Sequence, residues 1–381
     1  MIRYSVKELS EGIAFSDAIY LDNQFILAAP EMRLSHEMKK SLKTWGFSEI
    51  LSNGAPVIEE QVDETAHTKL TSVTSQHQTN SKEKIDYVEQ FYTAFKRYME
   101  SVFEDIDKKN ILNYQELTDH VRSACDVIRE DRRFLLRSQK SQSIETEKDY
   151  MASHAVRSMI ISVTIGLRLK LSNEKLIELG VAALLHEIGM LKLPKEAFYT
   201  KHSLTQSQRK AIISHPILGY SLLESFNVPL AVRLAGLEHH ERENGSGYPR
   251  KLTGDKISLY AKIIAVACSY DASVTDRPHK EAENGYTSML YLLQNKEKQY
   301  NKTVVDALLY SLSLYPIGLF VLLSNGKKAQ VVDVNSKNPL YPIVQILGVV
   351  TTNGKSLIIK TSKDGIYIVR PLTKSEVGGA G

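Results

Sequence analysis

Apolar and polar positions divide the chain into segments of different character. Residues 1–53 contain short runs such as IRYSV, DAIYL and QFILAA, in which apolar residues alternate or cluster as they do in strands. From residue 85 to residue 315, apolar residues recur instead at helical spacing, with short breaks. We therefore expect a mainly α protein with a small N-terminal α+β accessory domain at residues 1–53 and a helical domain at residues 85–315.

Two further segments complete this division. The stretch EEQVDETAHTKLTSVTSQHQTNSKEK has few large apolar residues, and it predicts a polar linker over residues 54–84. Near the end of the chain, LFVLLSNGKKAQVVDVN consists of two strand-like runs around Asn325-Gly326, which is a strong hairpin signal. Residues 316–372 are therefore predicted to form a small β module.

Composition argues against several classes of protein. The formal net charge of +4 is small for 381 residues and does not favour duplex nucleic acid as a partner. No apolar run approaches the roughly eighteen residues of a membrane span. The two cysteines, Cys125 and Cys268, provide no disulfide framework, so we expect a cytoplasmic protein.

Histidines are concentrated in the helical segment, on or beside apolar helical stretches. A lone histidine on an apolar face is usually a packed core residue, but five of them with an adjacent carboxylate favour a site for divalent metals. The candidate ligands are His154, His186, Glu187, His215, His239 and His240.

The adjacent pair His186-Glu187, within AALLHEIGMLKLP, constrains this metal site further. Neighbouring side chains on a helix diverge by about 100°, so the pair is better placed to touch two ions with the carboxylate as a bridge. Two metals about 3.5–4 Å apart form an established clamp for phosphoryl hydrolysis. After the second histidine pair, the loop in HHERENGSGYPRKL interrupts the helix and places Tyr248 next to that pair.

These motifs resemble the HD-GYP phosphodiesterases, the helical branch of the HD superfamily that hydrolyses the bacterial second messenger cyclic di-GMP. The likeness covers about residues 149–315 and rests on SHAVRSMI, ALLHEIG followed by LKLP, SHPILGYSLL, and the long segment from LEHHERENGSGYP to DRP. It implies an HD-superfamily helical bundle with its core at residues 149–280, and hydrolysis of cyclic di-GMP to a linear product in bacterial signalling.

The resemblance also implies a role for individual residues. Two divalent transition metal ions are expected, with iron or manganese favoured and zinc compatible. His186 and Glu187 would be the catalytic pair within the ligand set, and Tyr248 would face a guanine or phosphate. Arg277 and Lys280 would supply positive charge to the phosphates. The implied metal ligands are His154, His186, Glu187, His215, His239, His240 and, at the place of a family aspartate, Cys268.

Four positions depart from the family pattern. Glu187 replaces the aspartate of the HD pair and is one methylene longer, and Met190 replaces a phosphate-directed lysine. Cys268 can bind zinc or iron as a thiolate but suits manganese or magnesium poorly; as a neutral thiol it would only pack in the core. Tyr150 stands where some members carry a glutamate for a third metal, so a third ion is not expected.

Two functions remain open on the sequence. The chain is either a metal-dependent cyclic di-GMP phosphodiesterase or a weakened relative that binds a cyclic dinucleotide, or a protein partner, without turnover. A third hypothesis is a structural scaffold whose histidines only pack in the core, but five histidines at the family spacing argue against it. Homodimerisation and contacts with signalling proteins are compatible with either function.

Overall fold

A computed structural model describes residues 1–9, 13–17, 19–20, 26–28, 34, 39, 42, 47–57, 67–138, 147–194, 205–275, 282–335, 337–350 and 356–377. The chain divides into two compact units, Met1–Thr79 and Asn80–Gly381. Each unit has its own buried apolar core.

The N-terminal unit contains short antiparallel strands, as its alternating apolar pattern predicts. Within the described residues, four strands pair in the order β1-β5-β3-β4, and β2 pairs with β6. Phe15, Ile19 and Ile50 are fully buried between them. The strands are β1 (Ile2–Ser5), β2 (Ala14–Phe15), β3 (Ile19–Tyr20), β4 (Ile26–Ala28), β5 (Glu49–Ser52) and β6 (Pro56–Val57).

The predicted linker differs from the structure in its second half. Helix α1 begins at His67 and continues to Lys109, so residues 67–84 are helical. Their polar composition led to the linker prediction, but polarity does not oppose a helix. Neither glycine nor proline occurs between Val57 and Ile165, so the sequence contains no strong helix breaker there. The apolar residues further along α1 then anchor the helix in the core.

The helical unit continues with eight more helices among the described residues. They are α2 (Tyr114–Ser138), α3 (Glu147–Arg168), α4 (Asn173–Leu185), α5 (Gln206–Ser225), α6 (Leu230–Glu238), α7 (Leu259–Val274), α8 (Gly285–Asn295) and α9 (Lys302–Leu312). Short 3₁₀ helices lie at Ile188–Lys192 and Gly254–Lys256.

Helix α3 lies at the centre of the unit. Residues 151–166 are buried at every position, which is typical of a helix surrounded by other elements. Two of these buried residues, His154 and Arg157, have side chains that can carry charge and therefore require partners inside the core. The mainly helical architecture confirms the predicted fold class.

A five-stranded antiparallel sheet follows in the described part of the C-terminal region. Its order is β10-β9-β8-β7-β11, from β7 (Phe320–Leu323), β8 (Lys328–Asp333), β9 (Ile343–Val350), β10 (Ser356–Lys360) and β11 (Ile368–Pro371). A last short helix, α10, spans Lys374–Val377. Strands β7 and β8 pair around Gly326, whose φ of 76° suits the predicted hairpin turn. Within the described ranges, no helix combines the length and hydropathy needed to cross a bilayer.

Candidate metal centre

Five of the candidate ligands lie on, or at the end of, the consecutive helices α3 to α7. His154 lies on α3, and Cys268 lies on α7. His186 is the residue at which α4 ends, and His239 is the residue at which α6 ends. The fifth helix, α5, carries His215, which is 1% exposed. The structure therefore brings together side chains that are up to 114 residues apart.

Three of the imidazoles are fixed by backbone carbonyl groups. The Nδ1 atoms of His186, His215 and His239 lie 2.7, 2.6 and 2.7 Å from the carbonyl oxygens three residues earlier. For His186 and His239, those carbonyls lie in the last turn of a helix, where no intrahelical donor is available. In α5, Pro216 has no N–H to donate to the oxygen of Ile212, so that oxygen is free to accept from His215.

His154 is fixed by a side chain instead. Its Nδ1 lies 2.7 Å from Oδ2 of Asp271, which is itself 1% exposed. Arg157 donates from Nε to Oδ1 of Asp271 at 2.6 Å and from Nη2 to Oδ2 at 3.3 Å. Burial opposes ionisation of Asp271, but the Arg157 guanidinium and His154 lower the pKa of that carboxyl below its ordinary value. Asp271 is thus a charged acceptor that orients His154.

The four Nδ1 contacts have a common consequence. Wherever the ring is neutral and Nδ1 donates its proton outward, Nε2 carries a lone pair directed away from that contact. The Nε2 atoms of His215 and His239 lie 3.3 Å apart. Two lone pairs at this separation repel unless a proton or a cation lies between them.

Glu187 lies among these nitrogen atoms. Its Oε2 is 3.2 Å from Nε2 of His215, and its Oε1 is 3.9 Å from Nε2 of His186 and 3.8 Å from Nε2 of His239. Among the described residues, two groups have ligand atoms within 4.8 Å of one another, and Glu187 belongs to both. The groups are His154, His186, Glu187 and Cys268, and Glu187, His215, His239 and His240.

The protonation states of most candidate ligands suit a metal centre. His154 differs: burial would lower its pKa, but Cys268, Tyr150 and Asp271 raise it well above the ordinary value. Burial lowers the pKa of His215, and it lowers the pKa of His186 and His240 well below the ordinary value, which favours neutral imidazoles. Burial alone would raise the pKa of Glu187, but His215 and His239 hold it well below the ordinary range. Neutral imidazoles and an ionised carboxylate are the forms that bind metals.

An unpartnered atom supports the same interpretation. Nε2 of His186 is buried and has no hydrogen-bond partner in the described structure. A buried nitrogen without a partner loses the free energy of its hydration, and a metal ion would restore that loss. The donor set of imidazoles, carboxylate and thiol fits divalent transition metals.

Gly189 allows Glu187 to approach His215. A Cβ atom at position 189 would overlap the carbonyl oxygen of His215 and lie 2.6 Å from the nitrogen of Gly219. The 3₁₀ helix that follows Glu187 therefore packs directly against the backbone of α5. This contact holds the Glu187 carboxylate beside His215.

The GSGYP loop is held against the histidine pair by two buried glutamates. Glu241 accepts hydrogen bonds from the backbone nitrogen atoms of Arg250 at 2.7 Å and Leu252 at 2.9 Å. Glu238 accepts from the backbone nitrogen of Ser258 at 2.9 Å and pairs with the Arg250 guanidinium. The segment that follows the loop is thus tied to the end of α6 and to the turn just after it.

Tyr248 occupies the predicted place at the centre. Its ring stacks on His240 with centroids 4.6 Å apart and an interplanar angle of 22°. Burial raises the pKa of its hydroxyl, which stays a neutral donor. Gly247 permits this position, because a Cβ there would lie 2.5 Å from the nitrogen of Arg242 and overlap the carbonyl oxygen of His240.

The remaining predicted positions have different outcomes. Met190 packs against the helical core, and its thioether side chain carries no charge. Tyr150 stacks on His154 with centroids 5.9 Å apart. Arg277 and Lys280 lie outside the described residues.

Sequence reasoning missed the residues that orient the ligands. Asp271 and Arg157 each follow a candidate ligand by three residues, Cys268 and His154 respectively. That spacing places each on the helical face of its ligand and could have identified both. Glu238 and Glu241 flank the histidine pair directly, but their role depends on a loop whose path the sequence does not specify.

Comparison with known proteins identifies the helical region. Residues 138–304 match the family model described as HD domain. The cyclic di-GMP phosphodiesterase PdeB of Borreliella burgdorferi is 29% identical over 233 residues, 60% of this chain and 62% of the relative. The cyclic di-GMP phosphodiesterase response regulator RpfG of Xanthomonas campestris pv. campestris is 34% identical over 174 residues, 45% of this chain and 46% of the relative.

One solved structure aligns with most of this chain. Bd1817, an HDG"Y"P protein from Bdellovibrio bacteriovorus, aligns with a TM-score of 0.49 and 16% identity over 81% of this chain and 97% of that one. The chain spans about half to three fifths of the length of the two curated relatives. The match to the HD domain family lies within the helical region. Within it, the resemblance to the HD-GYP phosphodiesterases is confirmed.

We expect Gly189→Ala to destabilise the protein by about 1–3 kcal/mol, because the new methyl group meets backbone atoms that cannot rotate away. Urea denaturation measures the effect. Gly236→Ala on α6 is the matched control, since its Cβ would lie 3.7 Å from Cα of His186, an ordinary contact. Equal stability of Gly189→Ala and the wild type would contradict the tight approach described above.

We expect Asp271→Asn to weaken metal binding about 10–100-fold, because an amide replaces one acceptor oxygen by a donor and leaves His154 or Arg157 without its partner. Competition with a chromophoric chelator measures the affinity. Thr275→Val is the control, since it removes only a 3.3 Å hydrogen bond to the same carboxylate. Unchanged affinity in Asp271→Asn would show that His154 does not depend on this contact.

Proposed function

We propose that this chain is a metal-dependent phosphodiesterase that hydrolyses cyclic di-GMP to a linear product. The observation that supports this most directly is the position of Glu187 in two ligand groups at once. One carboxylate shared by two groups suits a pair of divalent ions, in keeping with dinuclear phosphoryl hydrolysis. The names of the relatives PdeB and RpfG support cyclic di-GMP as the substrate.

The residues would divide the work as follows. Glu187 would lie between the two ions, and Cys268 would contact the ion beside His154. The histidines that would hold the ions are His154, His186, His215, His239 and His240. Bound divalent ions supply Lewis-acid neutralisation of phosphate charge and activation of water. The outward Nδ1 contacts keep the imidazoles in place, so no reorganisation is needed when the substrate binds.

Tyr248 would orient the substrate beside the ions. Its neutral hydroxyl can donate to a phosphate oxygen, and its ring offers an aromatic surface for a guanine. The buried glutamates 238 and 241 fix the loop that carries it. Arg277 and Lys280 stay proposed contacts for the phosphates on the basis of the family resemblance.

A second function has a specific observation in its favour. Met190, at the place of a phosphate-directed lysine, packs in the core and leaves that cation missing. Cys268 replaces a ligand carboxylate. A chain with these changes could bind cyclic di-GMP without cleaving it and act as a sensor, so turnover has to be measured.

The first test concerns the metal. We expect His186→Ala to lose at least one of the bound ions, because its Nε2 is a buried atom with no other partner. Elemental analysis of protein from cells grown with manganese and iron measures the loss. His120→Ala is the control, since His120 on α2 stacks on Tyr98 of α1 and belongs to neither ligand group. Fewer than one transition metal per wild-type chain would exclude the enzyme.

The second test separates the hydrolase from the sensor. We expect the metal-loaded wild type to convert cyclic di-GMP to a linear product on chromatography, and His186→Ala to give no product. Tyr248→Phe should bind the substrate more weakly or turn it over more slowly, because it keeps the ring and removes only the donor. Tight binding of cyclic di-GMP to the metal-loaded wild type without product would establish the sensor instead.

A further inference from the structure

The two ligand groups differ in their donor atoms. One combines two imidazoles, the Glu187 carboxylate and the Cys268 thiol, whereas the other combines three imidazoles with the same carboxylate. Sulfur is a soft donor that favours zinc, iron and cobalt, while manganese and magnesium prefer oxygen. The two positions therefore cannot have the same metal preference if sulfur is a ligand.

Two observations indicate that Cys268 faces a metal position and is not only a packed thiol. Its Sγ lies 3.5 Å from Nε2 of His154, whose Nδ1 is hydrogen-bonded to Asp271. A hydrogen bond between Cys268 and His154 could satisfy these two groups alone. It would leave Nε2 of His186, in the same group, buried without a partner. One metal ion contacting all three atoms accounts for both.

Charge supports the same assignment. Asp271 is already paired with the buried Arg157, so it adds no free negative charge to the centre. Of the described residues in the two groups, only Glu187 and Cys268 can be anionic. As a metal-bound thiolate, Cys268 would supply the second negative charge that helps to hold two dications.

We propose that the two metal positions are chemically unequal, with Cys268 as a thiolate ligand that makes the position beside His154 select zinc, ferrous iron or cobalt over manganese and magnesium. The histidine-rich position accepts manganese as well. This inference rests on the dinuclear centre of the proposed function and specifies which ion each half of that centre retains.

Cobalt(II) is the direct probe, because a thiolate ligand gives it a near-ultraviolet charge-transfer band that nitrogen and oxygen ligands do not. The metal-free full chain is titrated with Co²⁺ and followed by absorption. We expect the band in the wild type and its loss in Cys268→Ser and Cys268→Asp. Cys125→Ser is the matched control, since Cys125 is also buried but belongs to neither ligand group, and it should keep the band.

Manganese provides the second readout, by electron paramagnetic resonance. We expect the wild type to bind one Mn²⁺ with the spectrum of an isolated ion. Cys268→Asp should bind two Mn²⁺ with an exchange-coupled spectrum, because a carboxylate replaces the soft donor. Far-ultraviolet circular dichroism verifies that each variant is folded.

The outcomes distinguish the two proposals. Two bound Co²⁺ ions without a charge-transfer band, or an exchange-coupled Mn²⁺ pair in the wild type, would overturn the unequal centre and leave the phosphodiesterase proposal standing. Failure of the wild type to bind either ion would overturn both. A band that persists in Cys268→Ser would show that the thiolate ligand is not Cys268.

Discussion

The candidate centre depends on imidazole lone pairs that are forced to face one another. Nε2 of His215 and Nε2 of His239 lie 3.3 Å apart, and the outward contacts of both rings prevent them from turning away. Such an arrangement is unfavourable unless a cation compensates for it. Folding of the apolar helices supplies the free energy that holds these groups together, and a bound metal would return part of it.

The local structure around each ligand follows from this constraint. His186 and His239 stand where helices end, because a terminal carbonyl is free to accept from Nδ1. His215 lies within a helix, and there Pro216 releases the required carbonyl. His154 lies in the buried middle of α3, where carbonyls are already used, so a side chain has to orient it. Asp271 serves this purpose, and Arg157 neutralises its charge.

The sequence predicted what depends on residue type and spacing in one segment. The helical and strand-rich regions, the hairpin at Gly326 and the clustering of His186, Glu187 and His239 could be predicted in this way. The pairing of His154 with Asp271 joins residues 117 apart, so it depends on how α3 packs against α7. The approach allowed by Gly189 likewise depends on tertiary packing. The helical residues 67–84 were missed because their sequence is mostly polar and shows no apolar periodicity that would indicate a helix.

The departures from the family pattern at Glu187 and Cys268 are best understood together, through the negative charge that they give to the ligand set. The longer Glu187 side chain still reaches both ligand groups, so it could bridge two ions with the same charge as an aspartate. A neutral thiol at position 268 would leave that carboxylate as the one anion among the two described ligand groups, with Asp271 already committed to Arg157. A thiolate keeps the ligand charge at two, the value that an aspartate there would give. The change from oxygen to sulfur then alters which ion is preferred more than how much charge the site can hold.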